Sequence, residues 1–275
     1  MNAAAHMEAF FLPGTSGNLF SLYHPPSNQN QQRCVLVVPP FAEEMNKSRR
    51  MLSLQASSLA AAGIGVLMVD LYGTGDSEGD FGDARWQIWL EDLACARQWL
   101  QDKGINAVSL LAVRMGALLA LESASDWGDK VDRLVFWQPI SRGEVMLTQF
   151  LRLRVAANMM GSGSAETTKG LKARLAAGEH VEVAGYDLAS ELAQEVENKS
   201  LAAVDMMQSI PIHWLEVSSK EAGSVSPAAN KLISTWREKG LSVTARGVKG
   251  EPFWATQEIA TAPELLDVTT ELLSG

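Results

Sequence analysis

The sequence predicts an α/β protein with a mostly parallel, twisted sheet and helices on both of its faces. Two observations lead to this fold class. Short, continuous apolar runs, typical of strands buried on both faces, alternate with amphipathic stretches at helical spacing. This alternation indicates right-handed strand–helix–strand crossovers, which build parallel sheets. The 275 residues, 47% of them hydrophobic, are enough for one large domain with a substantial core.

Most of the alternation lies in the first 139 residues. A hairpin is predicted over 7–23, with its turn at Pro13–Gly17, and a polar loop over 30–33 follows. The predicted strands are then 34–38, 64–69, 107–111 and 134–137. The predicted helices are 47–62, which Gly63 ends, 84–102 and 115–125. The second helix is expected to bury four apolar side chains: Trp86, Trp89, Leu93 and Leu100.

The alternation stops after Pro139 and returns near residue 206. Between these points the pattern is mainly helical, with a Gly–Ser loop at 161–164. The later predicted elements are strands 212–217 and 241–245 and helices 226–239 and 256–273. An all-helical insert between the sixth and seventh strands would cover the carboxyl ends of the strands, where ligands bind in open α/β sheets. We therefore predict a core of residues 1–139 and 206–275 with a helical lid of residues 140–205.

Composition limits the classes of partner. The net charge of −9, without a long run of Lys and Arg, argues against a nucleic-acid-binding surface. Cys34 and Cys95 fit a reducing compartment better than a disulfide framework. The sequence shows no signal-peptide pattern and no apolar run long enough to span a bilayer. We expect a cytoplasmic protein without membrane insertion, metal or cofactor.

Several motifs resemble known families. The stretch Asp70-Leu-Tyr-Gly-Thr-Gly-Asp-Ser77 resembles the Asp-x-x-Gly-x-Gly-x-Ser loop of the α/β-hydrolase fold, and the order of elements is similar over nearly the whole chain. Four further segments resemble the exosortase A system-associated hydrolase of the second type: 39–51, Trp86-x-x-Trp89-x-x-Asp92, 149–154 and 183–186. The resemblance implies a link to the exosortase/PEP-CTERM sorting system and to exopolysaccharide production. It also implies a partner protein from that machinery.

The residues at the expected catalytic positions depart from an active hydrolase. The resemblance places the nucleophile in a Gly-x-Ser-x-Gly turn, and this chain has Ala112-Val-Arg-Met-Gly116 there. Arginine cannot be deprotonated near neutral pH, so Arg114 offers no lone pair for covalent attack. Glu251 stands where the resemblance implies a histidine, and Ser218–Glu221 stands where it implies the acid. The four histidines lie elsewhere: His6, His24, His180 and His213. We therefore predict that a Ser–His–Asp triad is absent.

Charged residues stand in place of the triad. A guanidinium in a partly dry pocket is costly unless paired, so a carboxylate from Glu43, Glu44 or Glu251 is expected beside Arg114. Because Glu43 and Glu44 are adjacent in what is predicted to be an extended segment, at least one should be exposed. The alternative for Arg114 is a structural ion pair that only fills an inactive site.

Four more residues are predicted to line a ligand pocket: Phe41, Met115, Arg152 and Trp86. Competing interpretations remain for two of them. Trp86, like Trp89, fits a core or lid contact, and Arg152, like Arg154, fits a solvated helix face. Because the N-terminus of the helix from Met115 favours negative charge, the pocket should accept an anion or a polarised acyl oxygen.

Three functional hypotheses follow. The first is a non-serine or non-catalytic family member that binds a small anionic or acyl compound through Arg114. The second is a hydrolase or acyltransferase in which a glutamate activates water and Arg114 stabilises the oxyanion. The third is a scaffold that binds another protein through its lid, which a filled pocket and a large apolar lid patch would favour.

Overall fold

The computed structural model of the protein describes residues 7–28, 33–159, 166–203, 210–219 and 223–275. Within these ranges eight strands form one sheet, in the spatial order first, second, fourth, third, fifth, sixth, ninth and tenth. The strands of this sheet are β1 (Glu8–Pro13), β2 (Asn18–His24), β3 (Cys34–Val38), β4 (Gly65–Val69), β5 (Val108–Val113), β6 (Val131–Trp137), β9 (Ile212–Ser218) and β10 (Val243–Lys249). The remaining two, β7 (Val181–Val183) and β8 (Tyr186–Leu188), pair only with each other.

The pairing confirms the mostly parallel sheet. β1 and β2 form the predicted antiparallel hairpin, and β2 runs antiparallel to β4. All other neighbours in the large sheet are parallel. Since parallel neighbours need a crossover, each connection carries a helix or the insert.

Helices cover both faces of the sheet, as predicted. They are α1 (Glu43–Ala61), α2 (Trp86–Asp102), α3 (Gly116–Trp127), α4 (Gly143–Met159), α5 (Thr168–Ala176), α6 (Ser190–Glu197), α7 (Pro227–Glu238) and α8 (Pro263–Ser274). Val35 and Val37 pack with α1 and α8 on one face. Leu36 and Val38 pack with α2, α3 and α7 on the other. This alternation follows from the two-residue period of a strand.

The segment between β6 and β9, called the insert below, contains α4, α5, the β7–β8 hairpin and α6. The expectation of an all-helical insert is therefore wrong. Val181 and Val183 are buried on either side of exposed Glu182, and the turn at Ala184 and Gly185 has φ of 52° and 86°. Two successive positive φ values are typical of a tight hairpin turn. The turn at Ala184 and Gly185 therefore favours a hairpin over the helix that was predicted for this segment. The division into core and lid remains a prediction.

Two boundaries differ from the predictions in ways that matter for the site. α1 begins at Glu43, four residues earlier than expected, and its first turn is acidic, which the helix dipole favours. β10 extends to Lys249, and α8 begins only at Pro263, a residue suited to the first helical turn. Residues 250–262 therefore form a long connection after the last strand.

Some predicted features lie outside the described residues: His6, most of the polar loop at 30–33, the Gly–Ser loop at 161–164 and Glu221. No helix in the described ranges is both long and apolar enough to cross a bilayer. The four apolar residues predicted to face the core from α2 are all buried.

A buried carboxyl group in α2 ties this helix to the loop after β4. Asp92 is fully buried, and its Oδ2 accepts a hydrogen bond of 2.8 Å from the backbone N–H of Tyr72. Its Oδ1 is buried without a partner among the described residues. Burial is the largest cause that raises the pKa of Asp92 to about 6. The folded protein therefore binds this proton more tightly than the unfolded chain does.

The Asp92→Asn variant should be more stable than the wild type at about pH 8, by about 1–3 kcal/mol in free energy of unfolding. The cost of burying the charged Asp92 carboxylate destabilises the wild type above the pKa of Asp92 in the folded protein. This cost disappears as the pH falls towards the pKa of Asp92 in the unfolded chain, near 4. Urea unfolding over this pH range checks the prediction. The control is Asp102→Asn, which changes an exposed residue of the same helix. A variant less stable than the wild type at about pH 8 would contradict it.

Candidate functional site

The turn between β5 and α3 places Arg114 at the carboxyl end of the sheet. Its φ is 56°, in the left-handed region, and its N–H donates to the Trp137 carbonyl at 2.9 Å. Its own carbonyl accepts from the N–H groups of Ala117 and Ile140. A Cβ at Gly116 would lie 2.6 Å from the carbonyl oxygens of Val38 and Pro39 at the end of β3. Only glycine therefore allows the start of α3 to pack so closely against β3. The predicted strand–turn–helix is confirmed.

The Arg114 guanidinium is paired, as expected, with a carboxylate. Its Nε and Nη2 donate to Glu44 Oε1 at 3.1 and 3.0 Å, and Nη2 also donates to Gln149 Oε1 at 2.9 Å. The guanidinium carbon lies 5.2 Å from the centre of the Trp254 ring. Arg114 is 7% exposed and Glu44 5%. Both Arg114 donors bind the same oxygen of Glu44, so the pair is not the bidentate type in which arginine contacts both carboxylate oxygens.

The two adjacent glutamates occupy the first turn of α1. Glu44 is buried and Glu43 is half-buried, so the expectation that one of them is exposed is wrong. The reason is that the segment is helical rather than extended, and adjacent helical residues need not point to opposite sides. The Oε2 atoms of both are buried without a hydrogen-bond partner among the described residues.

Burial shifts the acidity of both carboxyl groups. It is the largest cause that raises the pKa of Glu43 to about 7, and the charge of Glu44 adds to the rise, while Lys47 and Arg114 oppose it. Burial also raises the pKa of Glu44, against the opposing effect of the Arg114 guanidinium. Glu43 can therefore exchange a proton near neutral pH.

Backbone strain is concentrated around Arg114. Among the described residues, four that are not glycine have positive φ, and three of them are Ala42 (50°), Arg114 (56°) and Gln138 (45°). Ala42 directly precedes Glu43, and the Gln138 carbonyl lies 3.4 Å from Arg114 Nη1. Such conformations cost about 1–3 kcal/mol each and cluster at functional sites.

A cavity of about 360 Å³ opens beside the Arg114–Glu44 pair. Its volume is within the range of small-molecule sites. It lies at the carboxyl ends of the strands and is bounded by α1, α4 and the connection after β10. The lining combines apolar side chains of α4 and this connection with charged and amide groups: Glu43, Glu44, Lys47, Arg114, Met146, Gln149, Phe150, Leu153, Trp254 and Ala255.

Phe41 and Met115 were predicted to line the pocket, but they face a separate space of only about 10 Å³. That volume is of the order needed for one water molecule. The Phe41 ring packs edge-on against Phe81, Trp89 and Phe150, with ring centres 5.0–6.0 Å apart. Aromatic side chains therefore surround the buried Phe41 ring.

Three other predicted residues lie outside the Arg114 cavity. Arg152 is exposed on α4, because the residues that line the cavity from this helix (Met146, Gln149, Phe150, Leu153) follow a three- and four-residue spacing that excludes it. Trp86 is buried and donates from Nε1 to Glu122 Oε2 at 3.0 Å, in a core contact. Glu251 is exposed and lines a different cavity, because β10 extends further than predicted.

Sequence reasoning missed seven of the ten residues in the described lining, among them Gln149, Lys47 and Trp254. Gln149 lies three residues after Met146 and four before Leu153, a helical spacing that could have identified it. Lys47 lies one helical turn after Glu43 and was missed because α1 was predicted to begin at Lys47 itself. Trp254 lies in the connection 250–262, which was not predicted to fold against the cavity, and nothing in the sequence indicated its role.

No histidine lines the described part of this cavity. His24 is buried, and burial lowers its pKa. His180 contacts Asp187 at 2.8 Å within the insert, and His213 Nδ1 lies 2.7 Å from Thr244 Oγ1. Within the described ranges, no group of three or more His, Cys, Asp or Glu could hold a metal ion.

Comparisons with known proteins bear on the fold. The family model described as serine aminopeptidase, S33, matches residues 29–201. A search of curated proteins gave no match. Among solved structures, Est1E from Butyrivibrio proteoclasticus with bound ferulic acid is 15% identical, with a TM-score of 0.64 over 97% of this chain and 96% of that chain. A highly thermostable carboxyl esterase from Bacillus coagulans is 14% identical, with a TM-score of 0.66 over 98% of both chains. The predicted α/β-hydrolase fold is confirmed.

Removing the guanidinium should strongly destabilise the protein, because it leaves the buried Glu44 carboxyl without its cation. We expect Arg114→Met to lower the free energy of unfolding by about 3 kcal/mol at neutral pH. The double variant Arg114→Met/Glu44→Met should recover most of this loss, since a buried ion pair can be replaced by apolar groups. Urea unfolding measures all three proteins.

The matched control is Arg152→Met, which removes an exposed arginine of α4 and should change stability little. If Arg114→Met is as stable as the wild type, Glu44 does not depend on the guanidinium and the ion-pair interpretation is wrong.

Proposed function

The chain belongs to the serine aminopeptidase S33 family, and we propose that its Arg114 cavity binds a small acyl compound without the use of a serine nucleophile. The observation that carries this proposal is the position of Arg114. A paired, buried guanidinium occupies the strained turn after β5 and borders a cavity of about 360 Å³. Ligands bind at this end of an open α/β sheet.

The described residues around the Arg114 cavity do not provide the groups that a serine hydrolase needs. Arginine at position 114 cannot act as a nucleophile. The described lining of the cavity contains neither serine nor histidine. Glu251, at the position that family resemblance gives to the base, is exposed and borders another cavity. We therefore place the function of this chain in ligand binding or in chemistry that does not require a triad.

The charges around the cavity favour an acyl oxygen over a full anion. Two of the three guanidinium nitrogens of Arg114 already donate to Glu44, which offsets the positive charge. The third, Nη1, makes only a long contact of 3.4 Å with the Gln138 carbonyl. Nη1, together with Lys47, can therefore donate to an uncharged carbonyl oxygen. A carboxylate or phosphate remains the alternative ligand.

A cavity-filling variant tests this proposal. Ala255 lies on the exposed rim, so Ala255→Trp should fill the opening while the Arg114–Glu44 pair remains. In a thermal-shift screen of small acyl and carboxylate compounds, we expect wild-type shifts that Ala255→Trp abolishes. Gln257→Trp, an exposed position outside the described lining, should keep them. A complete lack of shifts, or shifts that survive Ala255→Trp, would count against binding in this cavity.

A second candidate function is hydrolysis or acyl transfer with a glutamate as general base. Glu43 favours it, because its pKa is raised to about 7 and it lines the cavity with a partnerless oxygen. In this reaction Glu43 takes a proton from water, the resulting hydroxide attacks the acyl carbon, and Arg114 Nη1 stabilises the oxyanion. The proton then passes to the leaving group.

Glutamate-based hydrolysis has a distinct kinetic signature. Because the deprotonated carboxylate is the base, the rate should rise as the pH increases through about 7 and then level off. The activity should resist fluorophosphonates and be lost in Glu43→Gln, but not in the control Glu251→Gln. Steady-state ester hydrolysis between about pH 5 and 9 measures this. Inactivation by fluorophosphonate, with labelling of a serine, would refute the second candidate.

We also propose a biological setting, namely a cytoplasmic protein of the exosortase A system linked to exopolysaccharide production. Support comes from the four segments that resemble the second type of exosortase-associated hydrolase. A protein-binding scaffold receives less support, because the cavity is open and the described part of the insert exposes only two large apolar side chains, Leu153 and Met159.

A further inference from the structure

Two carboxylate oxygens of residues that line the cavity lack hydrogen-bond donors among the described residues. Glu44 Oε1 accepts from Arg114, whereas Glu44 Oε2 and Glu43 Oε2 are buried and have no partner among the described residues. Glu44 is 5% exposed, so bulk water has little access to it. Buried polar atoms in native proteins are nearly always hydrogen-bonded, to protein, water or ligand. These two oxygens therefore mark a place where a donor is missing.

Most of the N–H groups of Arg114 already have acceptors other than these two oxygens. Arg114 Nε and Nη2 point to Glu44 Oε1, and Nη2 also reaches Gln149. Arg114 Nη1 faces the Gln138 carbonyl. Within the described lining, no side chain donates to either partnerless oxygen. Nη1 carries two N–H groups and uses one of them for its 3.4 Å bond to the Gln138 carbonyl, so the other can donate to a ligand, while α1 carries two oxygens without a donor among the described residues.

Apart from Lys47, the remaining wall is apolar. Met146, Phe150 and Leu153 of α4 line it together with Trp254. A ligand that fits the whole cavity needs an apolar body and, at one end, both a hydrogen-bond acceptor and a donor. An ester or ketone supplies only the acceptor. A free carboxylate would bring its negative charge towards Glu43 and Glu44.

We propose that the acyl ligand is a carboxamide, whose carbonyl oxygen accepts from Arg114 Nη1 and whose N–H groups donate to Glu43 and Glu44. This inference rests on the proposed binding function and specifies the chemical class of its ligand. The two acceptors on one helical turn can receive the two N–H groups of a primary amide. The apolar side chains of α4 and Trp254 contact the hydrocarbon part.

Three compounds with the same ring and nearly the same shape separate the alternatives: benzamide, acetophenone and benzoate. They are titrated separately into the ¹⁵N-labelled wild-type protein, and two-dimensional NMR follows the amide signals around the cavity. Benzamide should bind about tenfold more tightly than acetophenone, because the ketone leaves the buried oxygens unpaired. Benzoate should bind more weakly than benzamide because of charge repulsion.

A variant identifies the acceptor. Glu43→Met retains the length of the side chain but removes its oxygens, and it should bring the affinities for benzamide and acetophenone close to each other. The control Glu251→Met, at an exposed position in a different cavity, should keep the wild-type difference. If Glu43→Met fails to fold, the comparison of the three compounds on the wild type still decides.

The outcomes distinguish a failure of the carboxamide inference from a failure of the proposed binding function. If none of the compounds shifts signals around the cavity, the proposed binding function fails and the amide inference fails with it. If the compounds bind there but benzoate or acetophenone equals benzamide, ligand binding stands and the inference of a carboxamide is overturned.

Discussion

The Arg114–Glu44 ion pair is the interaction on which the arrangement of the site depends. It joins the turn after β5 to the first turn of α1, while Gln149 of α4 and the ring of Trp254 complete the surroundings of the guanidinium. Four separate parts of the chain therefore meet at one charged group. Since a buried guanidinium needs both a counter-charge and further acceptors, each of these parts is held near the others.

The backbone shows how the turn tolerates a large side chain. A non-glycine residue with positive φ is strained, and the surrounding hydrogen bonds of Arg114 with Trp137, Ala117 and Ile140 hold it in place. The geometry belongs to the fold rather than to the side chain. The two solved structures share the fold at 14–15% identity, so the architecture persists where sequence similarity is low. Function must therefore be argued from the residues at the turn.

Local patterns predicted the sheet, the hairpin of β1 and β2 and the turn at Arg114, because each depends on residues close together in sequence. The Arg114–carboxylate pair was also predictable, since an isolated buried charge is unfavourable. The roles of Lys47, Gln149 and Trp254 were not, because they depend on where α1 begins and on how residues 250–262 bend back. The exposed positions of Arg152 and Glu251 have the same cause: side-chain direction is set by helix phase and strand length, and a shift of a few residues reverses it.

The shared burial of Arg114 and Glu44 also has a consequence for how this sequence can change over evolutionary time. Neither residue can be exchanged alone without leaving its partner as an uncompensated charge inside the protein. Positions 44 and 114, although 70 residues apart, are therefore expected to change together. A descendant with serine at the turn needs an uncharged residue at the start of α1 as well, so a hydroxyl nucleophile at position 114 requires two coordinated substitutions rather than one.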